Sequence, residues 1–137
     1  MTPEIQAFLS GFPITLAHAG VSLLFLVVGA ALYAMLTPYK EISEIREGNA
    51  AAAVSFGGVL IGLAAPLAVS LLASTSIEEL AIWGAAATAV QLLIFRLTDF
   101  LLAGLPQRVE EGEVSAAVLL VAAKLAGSML LSAAVAG

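Results

Sequence analysis

Four apolar stretches follow one another along the chain, each long enough to cross a bilayer, with short polar segments between them. The first runs from about Pro13 to Leu36 without a formal charge; Pro13 suits the first turn of a helix, and Thr37-Pro38 ends it. Its polar and small residues Thr15, His18, Ser22, Gly29 and Tyr33 fall on one narrow stripe, which marks its packing face. The second covers about Asn49 to Ala73, with Asn49 or Gly48 able to cap its start and Pro66 predicting a kink. The third is Leu80 to Leu105, and the fourth spans about Val114 to Ala136. Spans of ~20 residues or more match a hydrocarbon core of ~30 Å. The pattern predicts an all-α integral membrane four-helix bundle.

The third stretch, LAIWGAAATAVQLLIFRLTDFLLAGL, carries Arg96 and Asp99 well inside its apolar run. Wound at about 100° per residue, Gly84, Thr88, Gln91, Arg96, Thr98 and Asp99 share one side. Ile82, Trp83, Val90, Leu93, Ile94, Leu97, Phe100 and Leu101 fill the other. A charge in hydrocarbon must turn from lipid, so the polar side packs on protein or lines a wet cavity. Lys124 stands near the middle of the fourth span at a comparable depth. An intramembrane polar cluster of Arg96, Asp99, Lys124, Gln91 and His18 follows as the candidate site. In its plain structural form Asp99 accepts from both cations and pins the third helix to the fourth, or to a second subunit. In its functional form two cations against one carboxylate leave +1, which an anion, water or another acid must complete. His18 is expected as an interfacial hydrogen-bonded histidine, with a proton-relay role as the sharper alternative. Trp83 and Tyr39 resemble interfacial anchors.

Composition narrows the function classes. Of 137 residues, 61% are hydrophobic and 11% charged, too few charges for a water-facing surface. The net charge of −5 argues against nucleic acid as a partner. Cysteine is absent and histidine single, so no metal or cofactor is expected. Neither a phosphate loop, a nucleophile elbow nor a zinc-protease motif occurs, and the chain is read as not an enzyme. A cleaved leader is not expected, because MTPEIQ lacks Lys and Arg. Lys40, Arg46 and Arg108 all fall in the first and third connections. The positive-inside rule then puts those connections in the cytoplasm and both termini on the extracytoplasmic side of a bacterial plasma (inner) membrane. The glutamates Glu41, Glu44, Glu47, Glu110, Glu111 and Glu113 are expected as solvated loop charge. Gly58 and Gly62 make a GxxxG pair with Gly57 beside them, and Gly127 lies among small residues of the fourth span. These helix-packing glycines suggest a homo-oligomer in the lipid bilayer, with membrane or cytoplasmic proteins as further candidate partners.

The two halves echo each other as tandem two-helix hairpin modules, A over about 13–75 and B over about 79–137. Leu36-Thr37-Pro38-Tyr39 aligns with Leu97-Thr98-Asp99-Phe100. Glu47-Gly48-Asn49-Ala50-Ala51-Ala52-Ala53-Val54 aligns with Glu111-Gly112-Glu113-Val114-Ser115-Ala116-Ala117-Val118. Both hairpins enter from the same side, so the repeat is parallel.

The run Glu44-Ile45-Arg46-Glu47-Gly48-Asn49-Ala50-Ala51-Ala52, followed by Gly57-Gly58 and Gly62, resembles the signature of the domain-of-unknown-function family 350, the YjfL-like bacterial inner-membrane proteins. That resemblance implies two copies of a two-helix module in a polytopic membrane protein of unassigned activity. The second copy departs from the pattern, with Glu113 in place of Asn49 and Val121-Ala122 in place of Gly57-Gly58. No catalytic residues carry over. A non-enzymatic scaffold or accessory subunit is the leading expectation; a small ion channel or transporter past Arg96, Asp99 and Lys124 is the alternative.

Overall fold

The computed structural model describes residues 1–137 and consists of helices alone: α1 (Pro3–Leu36), α2 (Glu41–Arg46), α3 (Ala50–Ala73), α4 (Ile77–Leu101), α5 (Leu105–Glu110) and α6 (Val114–Ala136). The long helices α1, α3, α4 and α6 are each long and apolar enough to cross a membrane. Their outer faces expose Leu23, Leu24, Val27, Ile82, Leu93 and Leu130, each more than half accessible. Apolar surface on that scale belongs in lipid rather than water. The chain is an all-α integral membrane bundle.

Helix boundaries depart from the sequence pattern in three places. Helix α1 begins at Pro3 and runs through Pro13. The Thr2 hydroxyl caps it by accepting from the Ile5 N–H at 3.3 Å, and Pro3 fits the first turn, where no N–H is needed. One missing N–H at Pro13 does not outweigh a capped start. At 34 residues and ~1.5 Å per residue, α1 is about 51 Å long, well beyond a ~30 Å core. Second, α4 ends at Leu101 rather than Leu105 and starts three residues early, at Ile77. Ser76 accepts from the Glu79 N–H at 3.1 Å, and Glu79 reaches back to the Thr75 N–H. This reciprocal cap sits just before the apolar run. Third, the connections expected as loops each contain a short helix, α2 and α5. Asn49, rather than Gly48, caps α3, its Oδ1 accepting from the Ala52 N–H at 3.1 Å.

The two short helices end alike. Gly48 and Gly112 both take φ near +92°, a left-handed conformation that suits glycine. The N–H of Gly48 bonds to Ile45 and that of Asn49 to Glu44; the N–H of Gly112 bonds to Val109 and that of Glu113 to Arg108. Each turn thus closes a helix and redirects the chain into the next span.

Packing is centred on α3, which runs against α6 most extensively and also touches α1 and α4. One apolar cluster joins Ala30, Tyr33, Val59, Leu63, Leu92 and Phe95. A second, at the end carrying α2 and α5, joins Tyr39, Ala51, Val109, Ala116, Ala117 and Leu120. The glycines explain the close approach. A Cβ on Gly58 would fall 2.6 Å from Val121, one on Gly62 2.6 Å from Phe95, and one on Gly127 2.8 Å from Ile94. These glycines are spent inside the bundle, whereas Gly57 faces open space.

Candidate functional site

Tyr33 lies one turn before the end of α1 and is fully buried. Its ring meets Phe95 of α4 edge-on, with centroids 5.8 Å apart. That contact aims the hydroxyl at Asp99, one turn further along α4 on the same face. The Tyr33 hydroxyl donates to Asp99 Oδ2 at 3.1 Å. From α6, Lys124 Nζ donates to the Tyr33 hydroxyl at 2.5 Å and lies 2.8 Å from Asp99 Oδ1. Arg96 Nη1 stands 3.6 Å from Asp99 Oδ2, a looser pairing. One carboxylate therefore gathers donors from three helices. Lys124 is almost wholly shielded, Asp99 nearly so, and Arg96 is 39% exposed.

A second acid belongs to the layer. Glu41, the first residue of α2, is 1% exposed, in contrast to the solvated loop charge expected for it. Its fold-back beneath the bundle brings it within the field of Lys124 and Asp99. Neither carboxyl oxygen receives a hydrogen bond. The nearby Thr37 hydroxyl spends its proton on the Tyr33 carbonyl at 2.8 Å. Burial pushes the Glu41 carboxyl up to about 7, against a smaller pull downward from Lys124. The count of two cations against one carboxylate thus becomes two against two whenever Glu41 is ionised.

A cleft of about 570 Å³ opens onto this layer from the end carrying the short helices. Tyr33, Thr37, Tyr39, Ser55, Arg96 and Asp99 line it, with Gln107 and Glu110 of α5 also on its wall. Burial, then the charge of Glu41, raises the Tyr39 hydroxyl above the usual tyrosine range, so it stays a neutral donor. Rigid partners hold the rim. The Asn49 amide donates to the carbonyls of Val109 at 3.1 Å and Glu110 at 3.0 Å, fastening the end of α5 to the start of α3. Arg108 and Glu113 pair on the surface, which holds the Glu113 carboxyl below its ordinary range.

The structure brings together Arg96, Asp99 and Lys124 and leaves two other candidates apart. His18 precedes Tyr33 by fifteen residues, about 22 Å along α1, and its Nδ1 pairs with the Ile14 carbonyl at 2.8 Å. Gln91 lies about 12 Å along α4 from Asp99, fully buried, with neither amide atom hydrogen-bonded. The sequence reading put Tyr33 on a packing stripe and Tyr39 at an interface, and missed Glu41. Tyr33's place at the loop end of the polar stripe was a usable signal; nothing in the pattern separates Glu41 from Glu44 and Glu47. No three His, Asp or Glu side chains converge anywhere in the chain as a metal ion would require.

Comparison with known proteins agrees with a membrane bundle. The chain is 26% identical to the UPF0719 inner membrane protein YjfL of Escherichia coli (strain K12) over 117 residues, 85% of this chain and 89% of that protein. It is 29% identical to the UPF0719 transmembrane protein YshE of Bacillus subtilis (strain 168) over 85 residues, 62% of this chain and 63% of that protein. No solved structure matches. A family model described as Domain of Unknown Function (DUF350) matches residues 7–135, which take in α3 and α4 whole and most of α1 and α6, and the chain belongs to that family.

Proposed function

We propose that this chain is a non-enzymatic component of a bacterial inner membrane, a scaffold or accessory subunit that acts through partners. One observation carries the reading: Asp99 is held by Tyr33 of α1 and Lys124 of α6, with Arg96 of α4 in a looser pairing. A buried ion pair between two spans ties them together, whereas removing one member leaves a stranded charge. The clamp holds the bundle's arrangement while its outer faces stay available to lipid and partner helices.

The positive-inside rule sets Lys40, Arg46 and Arg108, and so the cleft, on the cytoplasmic side. The matching turns at Gly48 and Gly112 support reading the chain as two copies of one module. The open Gly57 face on α3 is the surface left for a second subunit, since Gly58, Gly62 and Gly127 are used internally. Affinity isolation of the tagged chain from its native membranes in mild detergent tests the reading. A defined partner should remain bound, and neutralising the exposed Glu47 and Glu111 should release it; isolation of the chain alone removes the proposal.

The cleft favours a second reading. It reaches Arg96 and Asp99, so an ion entering it would meet the charged layer directly. In liposomes that reading demands ion flux above empty vesicles, altered by Asp99→Asn; flux at the empty-vesicle level rejects it.

A further inference from the structure

The clamp accounts for Asp99, Lys124 and Arg96 but gives Glu41 no role. Its carboxyl is buried, lacks a hydrogen-bond donor and stands on a helix of only six residues. That helix is joined to α1 by the bend at 37–40 and to α3 through the left-handed Gly48. Beside it lies a shallow hollow of about 280 Å³ lined by Ala34, Met35, Lys40, Glu41, Ile42 and Ser43, so a small displacement of α2 would open the acid to water. A buried carboxylate without donors is costly, while a neutral carboxyl is tolerable. Burial in this arrangement therefore favours the neutral carboxyl.

Most groups near Glu41 are committed elsewhere, and the Tyr39 hydroxyl is the one neutral donor left beside it. From α6, the Lys124 ammonium serves Asp99 and Tyr33. From α1, the Tyr33 hydroxyl donates to Asp99, and the Thr37 hydroxyl that follows donates to a backbone carbonyl. Asp99 of α4 offers no donor and adds like charge, which raises the Glu41 carboxyl further. Tyr39 keeps its proton, and Glu110 of α5 adds only like charge near it. Helix α3 holds no titratable side chain, and Lys40, next to Glu41, is exposed to water. When Glu41 ionises, Tyr39 can supply at most one donor, and solvent must meet the rest of the carboxylate's acceptor capacity.

We propose that Glu41 is a proton-binding site that seats α2 against the clamp when protonated and releases it to water when ionised. The inference rests on the clamp and on the cytoplasmic placement of the cleft end, so the device reads cytoplasmic pH. The sign is fixed by burial. A carboxyl whose proton is held more tightly in the seated state than in water stabilises that state fully below its ordinary value of 4.5. The stabilisation is lost as pH rises through about 7.

The absence of cysteine makes the test direct. Spin labels at Ser43→Cys on α2 and Glu111→Cys on the opposite turn, in lipid nanodiscs, report their separation by pulsed electron resonance. A single narrow distance should dominate at pH 4.5. A longer, broader distribution should replace it by pH 8.5, with a midpoint between 4.5 and about 7. Glu41→Gln, which stays neutral, should hold the narrow distance throughout; Glu41→Leu serves the same purpose if the glutamine variant does not fold. An unchanged distance in the parent protein, or a pH response that survives neutralising Glu41, overturns the proposal. Because the measurement needs neither a partner nor flux, its failure is separate from failure of the scaffold reading.

Discussion

Lys124 reaches Asp99 at 2.8 Å although they sit on different spans, and the hydroxyl of Tyr33 bonds to both. Their interdependence makes single and double replacements diverge. Asp99→Leu strands a buried ammonium and should cost about 3–5 kcal/mol, as should Lys124→Met for the carboxylate left behind. The double variant removes both charges and should recover much of that loss. Unfolding midpoints in detergent micelles for the four proteins give the coupling energy. Additive losses would show that the two groups do not act as a pair.

Tyr33→Phe is a finer probe. It keeps the edge-on ring contact with Phe95 but takes one donor from Asp99 and one acceptor from Lys124. A loss of about 1–3 kcal/mol is expected, smaller than that of either charge deletion. A neutral result in the same unfolding assay would mean the hydroxyl is replaced by solvent from the cleft.

The sequence made some of this legible and hid the rest for physical reasons. Arg96, Asp99 and Lys124 could be grouped because charges inside a ~30 Å hydrocarbon layer have few places to turn. The four spans were legible because apolar length alone defines them. Glu41 was hidden because a glutamate in a connection is free to be solvated, and only the fold-back of α2 decides otherwise. The start of α1 was missed because Pro13 reads as a boundary; the cap at Thr2 shows that the helix was already under way. The spacing of Gly58 and Gly62 marks a face where a neighbour can come close, but no pattern says which neighbour uses it. The structure assigns Val121 and Phe95.

Those glycines give a paired prediction. An alanine methyl at Gly58 or Gly62 would sit 2.6 Å from a side chain of α6 or α4, so α3 must shift. Each substitution should cost about 1–3 kcal/mol from overpacking. Gly57→Ala meets nothing and should be neutral or stabilising by about 0.5–1 kcal/mol, because alanine favours the helix. If Gly57→Ala instead disrupts a cross-linked dimer in native membranes while leaving monomer stability intact, the α3 face is a subunit contact.

Asn49 offers the sharpest chemical contrast at the rim of the cleft. Its oxygen caps α3 through the Ala52 N–H, and its amide donates to the carbonyls of Val109 and Glu110 and to Glu44 Oε2 at 3.3 Å. Alanine loses the cap and these donations together, and should cost about 1–2 kcal/mol from the cap alone. Aspartate keeps an oxygen for the cap and gains from the helix N-terminus. Its second oxygen, however, would face two carbonyl oxygens and a carboxylate with nothing to donate. If the cap dominates, Asn49→Asp should be milder than Asn49→Ala; if the tie between α3 and α5 dominates, it should be worse. The geometry favours the second outcome, since one cap bond is kept while three acceptors turn repulsive. Raised hydrogen exchange across Leu105–Glu110 in the aspartate variant, relative to the alanine variant, would locate the damage at α5. Equal protection in both would show that the amide donations do not hold α5 in place.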